Sequence, residues 1–349
     1  MKTKLFAIFT LSIFVLNTAA FAMPDAKARK SANTAALVAM LPASDGVVVF
    51  DIKRFLDSAL PQMLSGNQPM LAEVTKAIDE AKEKTGIDVR QFETLAAGVT
   101  AKPTAPKKYD IDSVLIARGQ VNAPTVLAAA KLAAKGKYRE EKIGERTVFI
   151  FEARDVAAAH APQGTSATGG MIKKALGALS KEMAAVAMDA NTLAFGDVEK
   201  VKETAAGSSK VDRELTGLLS KTVAPVATFA ARVPEGMSAF LPLDNDELGK
   251  NIDSIKLMYG SMDVNAAGTN LNATARTLQA DQALSLKETL DGLQMLGKMF
   301  LGSSKRADQQ VYARLIENVK FASKANEVSM SLAIAQNDID FLIGLLAKK

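Results

Sequence analysis

Near the C-terminus, apolar side chains occupy every second position. Val328, Met330, Leu332 and Ile334 alternate with Ser329, Ser331, Ala333 and Ala335. A period of two is that of a strand with one buried and one wet face. Phe321 falls on the strand before it, and Ala325-Asn326-Glu327 supplies the turn. Asn337 is placed to cap a helix carrying Ile339, Leu342, Ile343 and Leu346. Asparagine suits a cap because its side chain accepts from helix amides that have no partner.

The same strand–strand–helix order recurs upstream. Strands near Leu95–Thr100 and Ser113–Val121 lead to Asn122 and a helix ending near Gly136. Val186 and Met188 pair with Leu193 and Phe195 across Ala190-Asn191, and Asp197 caps the next helix. Ile255–Val264 and Asn270–Gln279 form a hairpin around Gly268, and Asp281 precedes a helix to about Leu301. Asn and Gly suit such turns because they tolerate positive φ. The pattern, rather than residue identity, suggests internal repetition.

Helical segments show apolar stripes. Leu71, Val74, Ile78 and Ala81 make one, supported by a Glu80–Lys84 pair, with Gly86 as C-cap. Leu286, Leu290, Leu293 and Phe300 make another. Around the first unit the order is strand (Val47–Asp51), helices, two strands, helix, strand (Arg139–Phe151). That β-α-β-β-α-β order has the split character of ferredoxin-like folds. The expected class is α+β: antiparallel sheets with helices packed on one face, and repeated strand-strand-helix units.

The chain of 349 residues is 48% apolar and 23% charged, a balance that excludes disorder. Its length suggests about two domains. The expected organisation is a signal peptide (1–22), an N-terminal segment (23–40), a first α+β lobe (41–215) and a second (216–349). A loop rich in Gly and Ala interrupts the first lobe at about 155–170.

Met1–Ala22 reads as a secretory signal: Lys2 and Lys4, an apolar run Leu5–Leu16, and Ala20-Phe21-Ala22 before a cut at Met23. The rival is an uncleaved anchor, which Asn17, Thr18 and the small-residue end oppose. No cysteine follows the run, which argues against a lipoprotein. Cleavage takes two lysines from a formal charge of +5, leaving a nearly neutral chain with no nucleic-acid footprint. Lys27, Arg29 and Lys30 are read as a solvated, mobile start.

Candidate chemistry is sparse. There are no cysteines and one histidine, which excludes disulfides, cysteine zinc sites and His-x-x-x-His motifs. His160 sits among alanines in the loop, with no nucleophile beside it. Asp244-Asn245-Asp246-Glu247 gathers three carboxylates, but a calcium-loop frame fails because its fifth ligand would be Leu248 and its twelfth Ile255. A helix start is the better reading. Gly292-Leu293-Gln294-Met295-Leu296-Gly297-Lys298 resembles a phosphate-binding loop, yet Met299 stands where Ser or Thr should hold magnesium, and the segment is helical. Asp110 and Asp112 fall two apart on a strand; Glu140 and Glu141 point to opposite faces. Met258 and Met262 share a strand face, and Met295 and Met299 a helix face; both read as core, with a pocket for a hydrophobic ligand as the alternative. Asn270, Asn272, Thr274 and Arg276 make a wholly polar strand face, either solvated or a partner surface.

The opening Leu41-Pro42-Ala43-Ser44-Asp45-Gly46-Val47-Val48-Val49-Phe50-Asp51, with Gly86-Ile87-Asp88 and Phe92-Glu93-Thr94-Leu95, resembles uncharacterised exported bacterial proteins grouped as domains of unknown function. The last strand–strand–Asn–helix segment is similar to theirs too. The resemblance implies a bacterial cell-envelope setting and carries over no functional residue.

The leading expectation is an exported, periplasmic or extracellular, non-enzymatic binding or scaffolding protein. Its partner would be an envelope protein, a glycan or a lipid, with no transmembrane segment after cleavage. No catalytic, cofactor or metal residue is assigned. The alternatives are a carrier of a lipid-like ligand between sheet and helix layers, and a hydrolase using carboxylates gathered by the fold.

Overall fold

A run of four bulky residues, Val47-Val48-Val49-Phe50, is what a strand covered on both faces requires. It forms β1 (Gly46–Asp51). In chain order there follow β2 (Phe92–Ala105), β3 (Lys108–Gly119), β4 (Tyr138–Ile143), β5 (Arg146–Glu152), β6 (Glu182–Asp189) and β7 (Thr192–Asp197). The second group is β8 (Ala227–Arg232), β9 (Ile255–Asn265), β10 (Gly268–Thr277), β11 (Lys320–Lys324) and β12 (Glu327–Ala335). The computed structural model describes residues 27–105, 108–152, 182–221, 225–236, 246–302 and 306–347. It joins these strands in one twelve-stranded sheet, ordered β11-β12-β10-β9-β8-β1-β2-β3-β7-β6-β5-β4, every pair antiparallel. Strands from residues 46–197 form one contiguous block and those from 227–335 the other, bonded through β1 and β8.

The helices are α1 (Lys27–Val38); α2, a continuous run of Ile52–Arg54, Phe55–Ala59 and Leu60–Met63 whose middle is π-helical; α3 (Gln68–Thr85); and α4 (Ala123–Ala133). Then come α5 (Val198–Ala206), α6 (Arg213–Leu219), α7 (Asp246–Asp253), α8 (Ala280–Gly302), α9 (Ala307–Asn318) and α10 (Gln336–Ala347).

The α+β class with an antiparallel sheet is as expected, but the helices lie on both faces rather than one. Side-chain parity shows why. On the first face, one row of paired residues runs Val186, Ala194, Ile116, Ala96, Val49, Thr228, Ser261, Asn272, Ser331, Lys320. It is apolar over the N-terminal block and polar beyond β1. Its apolar half packs with Leu37, Val38 and Leu41 at the end of α1, Val201 and Ala205 of α5, and Leu215, Leu218 and Leu219 of α6. On the second face the row Leu193, Ala117, Leu95, Phe50, Ala227, Met262, Leu271, Leu332 is apolar throughout. It needs cover along its whole length, which α4, α2, α8, α9 and α10 supply.

Four local expectations change. Arg139–Phe151 is a hairpin, β4 and β5, because Gly144 at φ 59° makes a tight turn with Glu145. The ferredoxin-like arrangement puts the first and third strands side by side; here β2 lies between them, since α2 and α3 return the chain to the edge of β1. A helix follows each of the β2–β3, β6–β7, β9–β10 and β11–β12 hairpins, but α5 covers the first face and α4, α8 and α10 the second, so these segments do not share one packing arrangement. The N-terminal segment is helical from Lys27, because Leu37 and Val38 belong to the main core.

Caps divide similarly. Asn122 caps α4, accepting from the Thr125 amide at 2.9 Å, and Gly86 ends α3 at φ 72°. Asp197 makes no side-chain cap; its carboxylate accepts instead from the amide (2.7 Å) and hydroxyl (3.2 Å) of Ser113 on β3. Asn337 lies inside α10, because β12 runs directly into a helix that starts at Gln336. Glu80 lies 3.8 Å from Lys76; the Lys84 side chain of the expected pair lies outside the described residues.

Candidate functional site

Among the described residues no helix packs over the middle of β10, β12 and β11 on the first face of the sheet. β10, β12 and β11 there present Asn270, Asn272 and Thr274; Ser329, Ser331 and Ala333; and Lys320 and Ala322. Asn272, Ser329, Ser331, Ala333, Ala322 and Lys320 are exposed. Three strands spaced by about 4.8 Å, rising about 3.4 Å per residue, make a surface roughly 10 Å wide and 20 Å long. No aromatic ring rises from it. Its hydroxyls and amides both donate and accept hydrogen bonds, and serine loses little rotamer freedom on being ordered.

An ion-pair network closes one end. Arg276 donates to Glu327 Oε1 from Nε (3.0 Å) and Nη2 (2.8 Å), and from Nη1 to Glu214 of α6 (3.1 Å). Tyr259 donates its hydroxyl to Glu327 Oε2 at 3.1 Å and accepts from Lys221 Nζ at 3.0 Å. The Lys221 ammonium lies 4.5 Å from the Tyr259 ring centre. Partial burial pushes Glu327 up; the Arg276 guanidinium, the Tyr259 hydroxyl and the Lys221 charge outweigh it and hold the carboxyl below its usual range. At the other end, where β11 stops short of β12, an open cavity of about 290 Å³ is lined by Asn265, Gly268, Asn270, Asn318, Lys320 and Ala333. Nearby, Asp263 pairs with Arg54 at 2.9 Å; burial raises its carboxyl above the usual range despite the guanidinium.

Other residues singled out from the sequence are scattered. His160, Asp244 and Asn245 lie outside the described residues, as do the signal segment and the 155–170 loop. Asp246 and Glu247 open α7. The Gly292–Lys298 segment lies within α8; Gln294 there donates to the carbonyls of Ile316 (2.6 Å) and Val319 (2.7 Å), and Gly297 backs onto Ile316. Its backbone amides are therefore committed to the helix rather than to a phosphate. Asp112 pairs with Lys102 across the ladder. Glu140 and Glu141 do face opposite ways: Glu140 reaches Lys131 of α4 at 2.9 Å, and Glu141 reaches Lys202 of α5 at 2.7 Å. A second cavity, of about 10 Å³, lies between α4 and the sheet by Tyr138, Phe149 and Phe151, too small for a ligand. Met262 is core as expected, but Met295 and Met299 are 65% and 67% exposed, because α8 turns Ala283, Leu286, Leu290 and Gly297 inward instead.

Sequence reasoning missed the buried ammonium of Lys200. It donates to the Ala43 carbonyl (3.3 Å) and Glu203 (3.1 Å), tying α5 to the strand entry. An amphipathic helix with a lysine on its apolar side was the available signal. Among the described residues no group of three or more His, Asp or Glu is arranged to hold a metal ion. No described helix is long and apolar enough to cross a membrane.

No protein-family model and no curated protein matches the chain. Among solved structures it is similar to crystal form I of TP0453, with 8% identity over 89% of this chain and 97% of that one and a TM-score of 0.40. Crystal form III of TP0453 gives 7% identity, coverages of 88% and 97%, and a TM-score of 0.41.

Proposed function

We propose that the protein is an exported, non-enzymatic binding or scaffolding protein of the bacterial cell envelope, and that it meets its partner through the polar face of β10, β12 and β11. The observation that carries this reading is the asymmetry of the C-terminal block. Its second face is layered with helices, while its first face is a flat array of Asn, Ser and Thr side chains between an ion-pair network and an open cavity. A rigid sheet with short side chains lets another polar backbone or polymer approach closely at little entropic cost. The envelope setting draws support from the Lys2–Ala22 signal pattern.

A photo-crosslinking residue placed at Ser331 or Asn272, in cells, tests the surface. We expect one adduct of defined mass from both positions and none from Leu132, which is exposed on α4 far from this face. Identical adducts from Leu132, or none from Ser331 and Asn272, would dispose of the reading. Mass spectrometry of the envelope-fraction protein tests export, with an N-terminus at Met23 expected and an intact Met1 counting against cleavage.

A further inference from the structure

The C-terminal third of α8 is apolar on its outer side. Ala283, Leu286, Leu290, Gln294 and Gly297, spaced by three and four residues, make the inner stripe. Outside it stand Leu293 (44% exposed), Met295 (65%), Leu296 (49%), Met299 (67%) and Phe300 (77%). With full side-chain surfaces of roughly 200 Å² each, these leave on the order of 600 Å² of contiguous apolar area in water, the top of what a monomer normally shows.

Their arrangement is self-complementary. Gly292 points outward, and a Cβ built there meets nothing within 4 Å. It lies four residues before Leu296, and Phe300, the most exposed ring among the described residues, lies four residues after. When one α8 is laid antiparallel on a second about an axis through Leu296, Leu296 meets itself. Phe300 then lies level with the Gly292 notch and Leu293 level with Met299, each relation occurring twice. Such an isologous interface needs one surface that fits its own image. Two patches together hide about 1,200 Å², the lower bound for a specific protein–protein contact. The flanking charges disfavour a lipid surface: Glu288 and Asp291 stand beside the patch with Lys298, where an anionic bilayer would select basic residues.

We propose that two copies of this chain associate through antiparallel α8 helices, with Phe300 of each seated over Gly292 of the other. Because α8 lies on the second face, association leaves the polar first face open. The inference is therefore independent of the proposed partner surface.

The cysteine-free chain makes the test direct. Sedimentation velocity of the full chain over a concentration series should show a monomer–dimer equilibrium. Phe300→Ala should raise its dissociation constant at least about a hundredfold, because symmetry counts the lost ring twice. Gly292→Leu, which fills the notch while favouring helix, should also give monomers with an undiminished unfolding midpoint. Under mild oxidant, Leu296→Cys should form a symmetric disulfide and Leu132→Cys should not. A wild-type monomer throughout the series, or equal coupling at Leu132→Cys, overturns the proposal. So does vesicle binding by a monomeric wild type that Phe300→Ala removes, which would assign the patch to lipid.

Discussion

Met262 and Met299 have the same side chain and opposite surroundings, so truncating each isolates burial. Met262 is fully buried on β9, among Phe50, Ala59, Ala227 and Val264. Met262→Ala removes roughly 100 Å² of buried apolar surface, about 2.5 kcal/mol at 25 cal/mol per Å². The void left, up to about 75 Å³, adds at most about 1.8 kcal/mol at 24 cal/mol per Å³, less any collapse of the site. The expected loss is therefore about 3 kcal/mol. With a urea m-value near 3 kcal/mol/M, the unfolding midpoint falls by about 1 M. Met299→Ala, at 67% exposure, should lie within about 0.5 kcal/mol of the parent. Equilibrium urea unfolding followed by far-UV circular dichroism, at a protein concentration low enough to keep the chain monomeric, measures both. A Met262→Ala loss below about 1 kcal/mol would refute the burial argument, as would a Met299→Ala loss of similar size to that of Met262→Ala.

Gly196→Ala places a Cβ 2.3 Å from the Ser113 carbonyl oxygen in the β3–β7 ladder, at φ 155°; we expect a loss of at least about 2 kcal/mol, with early amide exchange along β7. Asn122→Ala should cost about 1 kcal/mol by removing the α4 cap, read as a lowered melting temperature. Glu327 is held below its usual range, so the unfolded chain takes up its proton first as pH falls; the stability it contributes is present above the unfolded carboxyl range and is lost as pH drops through the folded value. Glu327→Gln should thus cost about 1 kcal/mol at pH 7, and the gap from the parent should close toward pH 3, checked by urea titrations at both pH values.

The antiparallel hairpins were legible because each carries its own period and turn: Ala190-Asn191 and the approach to Gly268 announce β6–β7 and β9–β10 without reference to the rest of the chain. Pairings between distant segments were not. Nothing local shows that β1 bonds to β8, and parity along one strand does not reveal which face of a shared sheet a helix will cover. The polar strand of Asn270, Asn272 and Thr274 was visible, but its enlargement by Ser329, Ser331 and Lys320 depends on the order β10-β12-β11. The stripe through Leu293 and Phe300 misled because period alone does not say which side of an almost wholly apolar helix turns inward. Gln294 and Gly297, which bond and abut α9, decide it.

The position of β1 has a consequence for the order in which the molecule is made. Its edge toward β2 is satisfied within about fifty residues, but its edge toward β8 must wait for Ala227–Arg232. A chain synthesised from the N-terminus therefore completes a seven-stranded half-sheet while Val47-Val48-Val49-Phe50 still offers open backbone bonds along one side. Such an edge, apolar and uncharged, is a template for a second identical half-sheet. Arrest or truncation before residue 227 should accordingly give aggregates rather than a soluble fragment. In the finished sheet the terminal strands are β4 and β11, whose Arg139, Glu140, Glu141, Lys142, Lys320 and Lys324 make poor templates. The hazard is confined to the interval before β8 arrives.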